Sequence, residues 1–491
     1  MEYDKWVIPP YRYGEKLMRT VSHPIMNNWR VRPQEQRAIL LFGDLFVSVL
    51  ALFAGLYFWG QKYDWLKFSL DFLKQRVEPW FFFLPLIWMI FLVELYDVHR
   101  ARNLRQTVGW IALAALAGLL LYALIYLISP QGSLPRLGIG FFLAFASVLT
   151  LIWRLLYIQI FTAQAFLHRV LVIGAGKAGE TIVEAYRKLR PQPFFFVGFT
   201  DDDPTKVGKK VDGFPILDGN HRLLEVIENE AVTEIIVAIS GAIKGETFQA
   251  ILDAQDAGVE VVPMPTVYEE LLGRVPVQHL QSDWLIRSFV DEARVSGFFE
   301  LAKRLIDILI AIIGLVVCLV LTPLTALIIL LDSGSPILYK QVRSGKSNKS
   351  YFIYKFRTMY QNAEKDGVAR VAEENDSRVT RTGVFLRRTH IDELPQFWNV
   401  LRGDMSVVGP RAERPELIAK YLKEIPFYRA RLLVKPGITG WAQVNYGYSA
   451  TIAETIIKLE YDLYYIKHRN MLTDMLILFR TFTQVLTFRG R

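Results

Sequence analysis

The chain has 491 residues and a net charge of +9, a length that accommodates roughly two to four domains. Its one cysteine, Cys318, excludes an intrachain disulfide and a cysteine-based metal site. Hydrophobic residues make up 52% and mean hydropathy is +0.24, which turns the basic balance away from nucleic acid and toward lipid and phosphorylated substrates.

Residues 1–36 are polar and basic, without the short apolar stretch of a cleaved signal peptide, and are expected to form a cytoplasmic arm. Four apolar runs follow at about 38–60, 79–97, 109–129 and 138–160. Each approaches the ~20 residues a spanning helix needs, so residues 37–165 are expected to form a four-helix transmembrane bundle. Aromatic residues such as Trp59, Trp80 and Trp110 gather at the run ends, as interfacial belts do. Arg30, Arg32 and Arg37 precede the first run, Arg100, Arg102 and Arg105 follow the second, and Arg169 follows the fourth, whereas 130–137 holds only Arg136. The positive-inside rule places the N-terminus and residue 169 in the cytoplasm.

Residues 166–290 read as a Rossmann-like α/β domain. Arg169–Ile173 is a buried strand, Gly174-Ala175-Gly176-Lys177-Ala178-Gly179 a tight turn into a helix, and strand and helix candidates alternate to Val262. Gly174, Gly176 and Gly179 fit a dinucleotide fingerprint, with Asp201 near the place of a ribose-binding acid. The same glycines suit any tight strand-to-helix turn, so NAD or another nucleotide stays open.

Residues 299–332 begin with Lys303, Arg304 and Asp307 and continue into an apolar run interrupted at Thr322-Pro323. Basic residues flank both ends, which asks for the cytoplasmic side twice. A proline bends a helix, so a re-entrant membrane helix is preferred over a kinked fifth span. Asp307 and Arg304, three residues apart, are expected to pair.

Residues 333–491 concentrate charge, glycine and proline and form the expected cytoplasmic catalytic domain, α/β but mostly helical. Lys355 and Arg357 alternate in a strand, where two cations on one face suit a diphosphate. Asp392 and Glu393 read as a helix start capped by Thr389, where the helix dipole favours anions. Arg387 and Arg388 precede the pair, and Gly409-Pro410-Arg411 presents another arginine. The glycines of Pro436–Trp441 would let the backbone approach a ligand, and Trp441 is open between a base-stacking and a core role. Asp462, a carboxylate among aromatics, needs a partner, expected to be an arginine. Thr439 and Gln443 complete the candidate substrate-binding set. His390 is read as structural.

Six ordered motifs then resemble the monotopic phosphoglycosyl transferases, the bacterial sugar transferase family. They are Lys303-Arg304 with Asp307, Lys355–Met359, Asp392–Gln396, Gly403–Ser406, Val408–Arg411 and Pro436–Val444. Residues before 299 look like the four-helix and Rossmann-like extension of the family's large members. The resemblance implies a re-entrant helix, Mg²⁺ and an Asp-Glu dyad at Asp392 and Glu393, with Glu393 as metal ligand. It implies transfer of a hexose-1-phosphate, glucose or galactose, from a UDP-hexose to undecaprenyl phosphate in the bacterial inner membrane, initiating polysaccharide synthesis, with UMP released and a homodimer admitted. Three departures stand out: Thr322-Pro323 for Ser-Pro, Ala412 after Pro410-Arg411, and Asn445-Tyr446-Gly447 where the family commonly has Asn-Gly-Arg.

Because the acceptor phosphate is already ionised near neutral pH, it needs little help from a general base. A covalent route is therefore expected, in which Asp392 takes up the sugar phosphate before the acceptor does, with Lys355, Arg357 and Arg411 as phosphate clamps. A membrane nucleotide-sugar dehydratase or epimerase using NAD is the rival enzyme class. Its Tyr-x-x-x-Lys pattern occurs only at Tyr63–Lys67 and Tyr351–Lys355, outside the Rossmann-like unit. A non-catalytic nucleotide-sensing scaffold is the third reading, against which the intact acidic pair stands.

Overall fold

The structure is a computed structural model that describes residues 33–62, 67–96, 98–128, 135–162, 168–280, 297–361, 376–447 and 451–486. Residues 1–32 of the expected N-terminal arm, with Arg30 and Arg32, Tyr63, and the 281–290 end of the expected Rossmann-like segment lie outside these, while 33–36 of that arm belong to the first helix. The chain forms two compact units, divided after Ile160.

In the first unit, α1 (Pro33–Gly60), α3 (Leu104–Ile128) and α4 (Arg136–Thr162) are long and apolar enough to cross a membrane. The second expected span is not one helix. A 3-10 turn at Pro79–Phe83, the short α2 (Leu84–Phe91) and a second 3-10 turn at Val93–Tyr96 replace it. Pro79 and Pro85 each sit in a first turn, where a missing N–H starts a helix but does not continue one. Three of the four expected spans are therefore continuous. Asp44 of α1 and Arg154 of α4 form a fully buried ion pair of 2.5 Å, and Arg154 also donates to the Leu95 carbonyl at 2.8 Å. Neither residue stood out in its apolar run, yet charges within such helices are expected to turn inward and pair.

The second unit begins with a six-stranded sheet, β1 (Arg169–Ile173), β2 (Phe195–Thr200), β3 (Lys210–Val211), β4 (Phe214–Asp218), β5 (Glu234–Val237) and β6 (Glu260–Pro263). Its order is β3-β4-β2-β1-β5-β6, parallel except for the β3 edge. Helices α5 (Lys177–Lys188), α6 (Leu223–Asn229) and α7 (Gly245–Asp256) alternate with the strands, as the doubly wound reading requires. Apolar clusters cover both sheet faces, one around Val172 and Ile182, the other around Leu171 and Ile251. Helix α8 (Met264–Leu272) ends at Gly273, whose left-handed φ of 63° closes it.

Helix α9 runs unbroken from Gly297 to Ser333, about 55 Å at 1.5 Å per residue. The expected break at Pro323 is absent: both sides stay helical. Pro323 removes the N–H that would reach Leu319, and one residue earlier the Thr322 hydroxyl donates to the Cys318 carbonyl at 2.6 Å. Beyond α9 lie the hairpin β7 (Leu338–Ser344) and β8 (Ser350–Phe356), α10 (Arg381–Arg388), α11 (Phe397–Arg402), β9 (Ser406–Val408), α12 (Pro415–Glu424), β10 (Gly437–Thr439), α13 (Trp441–Asn445), α14 (Ile452–Lys467) and α15 (Met471–Leu486). One apolar cluster unites Val400, Val407, Ile418, Leu463 and Ile477 from five of these elements.

Both halves of α9 touch this last set. Gly314 packs so closely on Phe397 that a Cβ would meet the ring at 2.3 Å, and Cys318 and Ile329 pack with Phe356 and Leu386. The Rossmann-like part also packs on it. Trp441 Nε1 donates to the Gly273 carbonyl at 2.7 Å, Tyr268 donates to Glu460 at 3.3 Å, and Glu269 meets Lys467 and His468.

Candidate active site

The acidic pair does not open an α-helix. Thr389 closes α10, with its hydroxyl donating to the Phe385 and Leu386 carbonyls, rather than capping the turn that carries the acids. Asp392 and Glu393 sit in a 3-10 turn, Ile391–Gln396, entered through His390 at a left-handed φ of 58°. Pro395 lacks the N–H that an α-register would direct at Ile391, so α11 starts only at Phe397. The helix-dipole argument for ionised carboxylates therefore gives way to a tertiary one.

That tertiary cause is a pair of cations. Lys355 of β8 donates to Glu393 Oε1 at 2.6 Å, and Arg411 donates to the same oxygen at 3.0 Å. Burial opposes ionisation of Glu393, but the Lys355 and Arg411 charges outweigh it and hold the carboxyl well below its usual range. For Asp392 burial prevails and raises the value, with the neighbouring Glu393 adding to it and Lys355 and Arg387 opposing. Among the described residues no hydrogen bond reaches the Asp392 carboxylate. Two adjacent acids thus have distinct states: one locked as an anion, the other buried and left open to an incoming group.

Asn399, absent from the sequence candidates, fixes Lys355 relative to the pair. Fully buried, it accepts from Tyr354 N–H at 3.3 Å and donates to the Phe352 carbonyl at 2.7 Å. The strand bearing Lys355 is thereby pinned to the helix after Asp392-Glu393. The one signal for it in the sequence is an amide between Trp398 and Val400.

Arg411 is held by two interlocked loops. A Cβ on Gly437 would come within 2.1 Å of Gly409 N, and one on Gly440 within 2.1 Å of the Gly409 carbonyl. These glycines let two backbones approach each other, joined by the β9–β10 pairing, rather than a ligand. From behind, Arg431 donates to the Arg411 carbonyl at 2.9 Å and to Asp462 at 3.0 Å. Asp462 therefore has its arginine, as expected, and, 1% exposed, it buttresses the Arg411 loop through Arg431. Arg431 was missed because nothing local distinguishes it from its neighbour Arg429.

Other candidates disperse. Arg387 donates to the Thr358 hydroxyl at 3.0 Å and lies near Asp392, while Arg388 is exposed. Arg357 does not face the pair with Lys355. Its Nη2 caps the end of α9, on the Ser333 carbonyl at 2.8 Å and on Gly334. The Thr439 hydroxyl shares a hydrogen bond with Thr481, and the Gln443 amide donates to the Ile438 carbonyl. Trp441 is buried, stacks on Tyr464 and lies under Arg480, which makes it core.

The start of α9 is stitched to the catalytic elements. Lys303 donates to Asp474 at 2.6 Å and to the Val408 carbonyl at 3.1 Å, beside the Arg411 loop. Arg304 caps the end of α11 on the Val400 and Leu401 carbonyls. Asp307 does not pair with Arg304. It accepts from Ser406 Oγ at 3.0 Å and Val407 N–H at 2.9 Å.

In the Rossmann-like part, Gly174 has φ 103°, and a Cβ on Gly179 would meet the Gly174 carbonyl at 2.3 Å, so the tight turn is real. Asp201 does not stand open for a ribose. It accepts from Ala175 N–H at 2.8 Å, from Asp203 N–H at 2.9 Å and from Lys206 at 3.0 Å. Among the described residues no group of three or more His, Cys, Asp or Glu side chains could hold a metal. A magnesium ion that keeps most of its water needs only one or two carboxylates beside substrate phosphates, and the Asp392-Glu393 pair fits that lesser demand.

Two family models match the chain: bacterial sugar transferase over residues 298–488 and CoA-binding domain over residues 92–265. The chain is similar to a UDP-N-acetylgalactosamine-undecaprenyl-phosphate N-acetylgalactosaminephosphotransferase of Aeromonas hydrophila, 44% identical over 48% of this chain and 54% of that one. It is similar to a UDP-glucose:undecaprenyl-phosphate glucose-1-phosphate transferase of Escherichia coli (strain K12), 33% identical over 64% of this chain and 66% of that one. An exopolysaccharide production protein of Rhizobium leguminosarum bv. phaseoli is 41% identical over 38% of this chain and 96% of its own length. The chain thus spans about half to two thirds of the two longer relatives and nearly all of the short one.

Proposed function

The chain belongs to the bacterial sugar transferase family, and from that premise we propose that it transfers a sugar-1-phosphate from a UDP-sugar to undecaprenyl phosphate, releasing UMP. The observation that carries this reading is the split state of the acidic pair: Glu393 clamped by Lys355 and Arg411, Asp392 buried without a hydrogen bond. The proposed location is the inner membrane, as the family suggests, with the catalytic domain facing the cytoplasm, a side that the loop charges support. The re-entrant reading of α9 is supported by its anchors. Lys303, Arg304 and Asp307 near one end bind Val408, Val400 and Val407, and Ser333 at the other binds Arg357; all these partners lie in 333–491, which asks both ends to lie on one side.

The Asp392 carboxylate attacks the phosphorus that bears the sugar. The bond from that phosphorus to the UMP oxygen breaks, and UMP leaves with the electron pair. The resulting sugar-phosphoryl-aspartate is then attacked by an oxygen of undecaprenyl phosphate, which regenerates the carboxylate. Lys355 and Arg411 offset charge on the phosphoryl oxygens. Glu393, with its second oxygen, would hold a Mg²⁺, whose contribution is to neutralise the donor diphosphate. Mixing enzyme with UDP-sugar in the absence of acceptor should release about one UMP per site; no burst would sink the covalent step.

The donor is proposed to be a UDP-hexose, glucose or galactose. The Aeromonas relative supports a second reading, UDP-N-acetylgalactosamine. A panel of UDP-sugars with undecaprenyl phosphate, scored by UMP release, tests both. Initiation of an extracellular polysaccharide is the proposed role, and a homodimer the proposed assembly.

A further inference from the structure

The loop that presents Arg411 carries a second carboxylate, Glu413, which the catalytic reading leaves unused. Among the described residues the Arg411 guanidinium has one ion-pair partner, Glu393, and its side chain is 41% exposed. Its aim at the acidic pair therefore depends on where the backbone of 411–413 runs. Alanine at 412 puts no ring restraint on φ, so that path is fixed by its partners.

Three consecutive carbonyls are held. Arg431 donates to that of Arg411 at 2.9 Å, Arg343 of β7 to that of Ala412 at 3.0 Å, and the Ser344 N–H to that of Glu413 at 3.0 Å. The Glu413 carboxylate faces the same two arginines, 3.9 Å from each, and accepts from Lys458 at 2.7 Å. Burial pushes this carboxyl up, but Lys458 and Arg431 outweigh it and hold it at about 2. Lys458 and Asp462 stand four residues apart on one face of α14. Asp462 accepts from Arg431 at 3.0 Å, so that face grips the loop with both an acid and a base. Four cations thus crowd one place. Burial and the charge of Arg411 oppose a charged Arg343, and Glu413 favours it. Without the Glu413 charge, the arginines that hold the 411 and 412 carbonyls repel each other and Arg411.

We propose that Glu413 is a positioning residue: it gathers Arg343, Arg431 and Lys458 behind the 411–413 backbone and so aims the Arg411 guanidinium at Glu393 and at the donor phosphate. This rests on the transferase reading for the use of Arg411 as a phosphate clamp, and not for the aim of its side chain.

The full chain in phosphatidylcholine nanodiscs tests it by a double-mutant cycle on UMP release. Glu413→Gln, which keeps the shape and removes the charge, should lower kcat about tenfold or more. In an Arg411→Ala background the same change should cost less than about twofold, because there is no guanidinium left to aim. Losses that multiply, or an unchanged kcat in Glu413→Gln, would overturn the proposal in favour of a role in stability alone. If Glu413→Gln does not fold, Lys458→Met, which leaves the carboxylate with its two arginines, carries the same cycle with a smaller first loss, and multiplying losses again overturn it. Labelling of Arg411 by phenylglyoxal, read by peptide mass spectrometry, needs no turnover. Glu413→Gln should speed it about threefold or more as the guanidinium leaves Glu393, with the exposed Arg388 labelled at its wild-type rate. An unchanged Arg411 rate overturns the proposal. If the Arg411 rate shifts while no UDP-sugar yields UMP from the wild type, the positioning stands and the transferase reading falls.

Discussion

The Gly174–Gly179 turn and the Asp392–Gln396 turn each bring an acid beside a cation, yet they end in opposite states. In the Rossmann-like part, Asp201 takes the Ala175 N–H itself and pairs with Lys206, so the acid consumes the donors a phosphate would want. In the catalytic part, both neighbouring cations go to Glu393, and Asp392 keeps its oxygens free. What separates the structural turn from the one proposed to react is the hydrogen-bonding capacity left over after internal pairing, not the motif.

The largest effect that would sharpen this contrast is at the open acid. Asp392→Asn should lower turnover at least about a thousandfold, since an amide cannot act as the nucleophile, whereas Asp201→Asn should leave turnover intact. A matched assay of UMP release in the two variants breaks the comparison if they fall together.

Next is the cation. Lys355→Met should cost about a hundredfold in kcat. It should also move the acid limb of the pH–rate profile upward. Burial already raises the Asp392 value, and Lys355 opposes that rise, so removing the charge lets protonation win at higher pH. A residual rate with an unmoved limb would mean that Lys355 acts only on the substrate.

Asn399→Ala should cost about 1–3 kcal/mol for each backbone group of Phe352 and Tyr354 it leaves unpaired. The expected signature is a lower thermal midpoint and a reduced kcat with the acid limb unchanged, because Lys355 is displaced but present. Asp201→Asn should cost only about 1 kcal/mol in the Rossmann-like part, read as a small drop in its thermal midpoint.

The smallest effect concerns the contact between the two parts. Burial pushes the Glu460 carboxyl up to about 7, against the pull of Arg274. A value raised in the fold contributes stability that is complete below the unfolded value and is lost as pH rises through about 7. Glu460→Gln, which does not titrate, should therefore gain on the wild type in thermal midpoint from about pH 5 to about pH 8. A constant difference across that range would show that Glu460 stays ionised.

Much of this was written in local pattern. Short apolar runs and the helical stretches between them located β1, β2, β5, β6 and α5 to α7, while β3 and β4, which are largely not buried, gave no such signal. Uninterrupted apolar length located α1, α3 and α4. It misread 79–97, since hydropathy does not register that two prolines start helices without continuing them. The acidic pair, Lys355 and Arg411 were legible as residues. Their roles were not, because the pairing spans 38 residues from Lys355 to Glu393 and 18 from Glu393 to Arg411, and no local period encodes a contact across that distance.

The sequence by itself determined the division into membrane, Rossmann-like and catalytic segments, the family, and which charged residues are available for chemistry. These rest on composition, periodicity and ordered motifs, which need no third dimension. Only the tertiary structure decided how the charges are distributed: Asp462 to Arg431, Asp307 to Ser406 and Val407, Asp201 to its own glycine turn, and Glu393 to both cations. The reason is physical. Burial makes an unpaired charge expensive, so the folded chain pairs whatever it can. That the Asp392 carboxylate is left without a hydrogen bond is known only once its neighbours have found their partners.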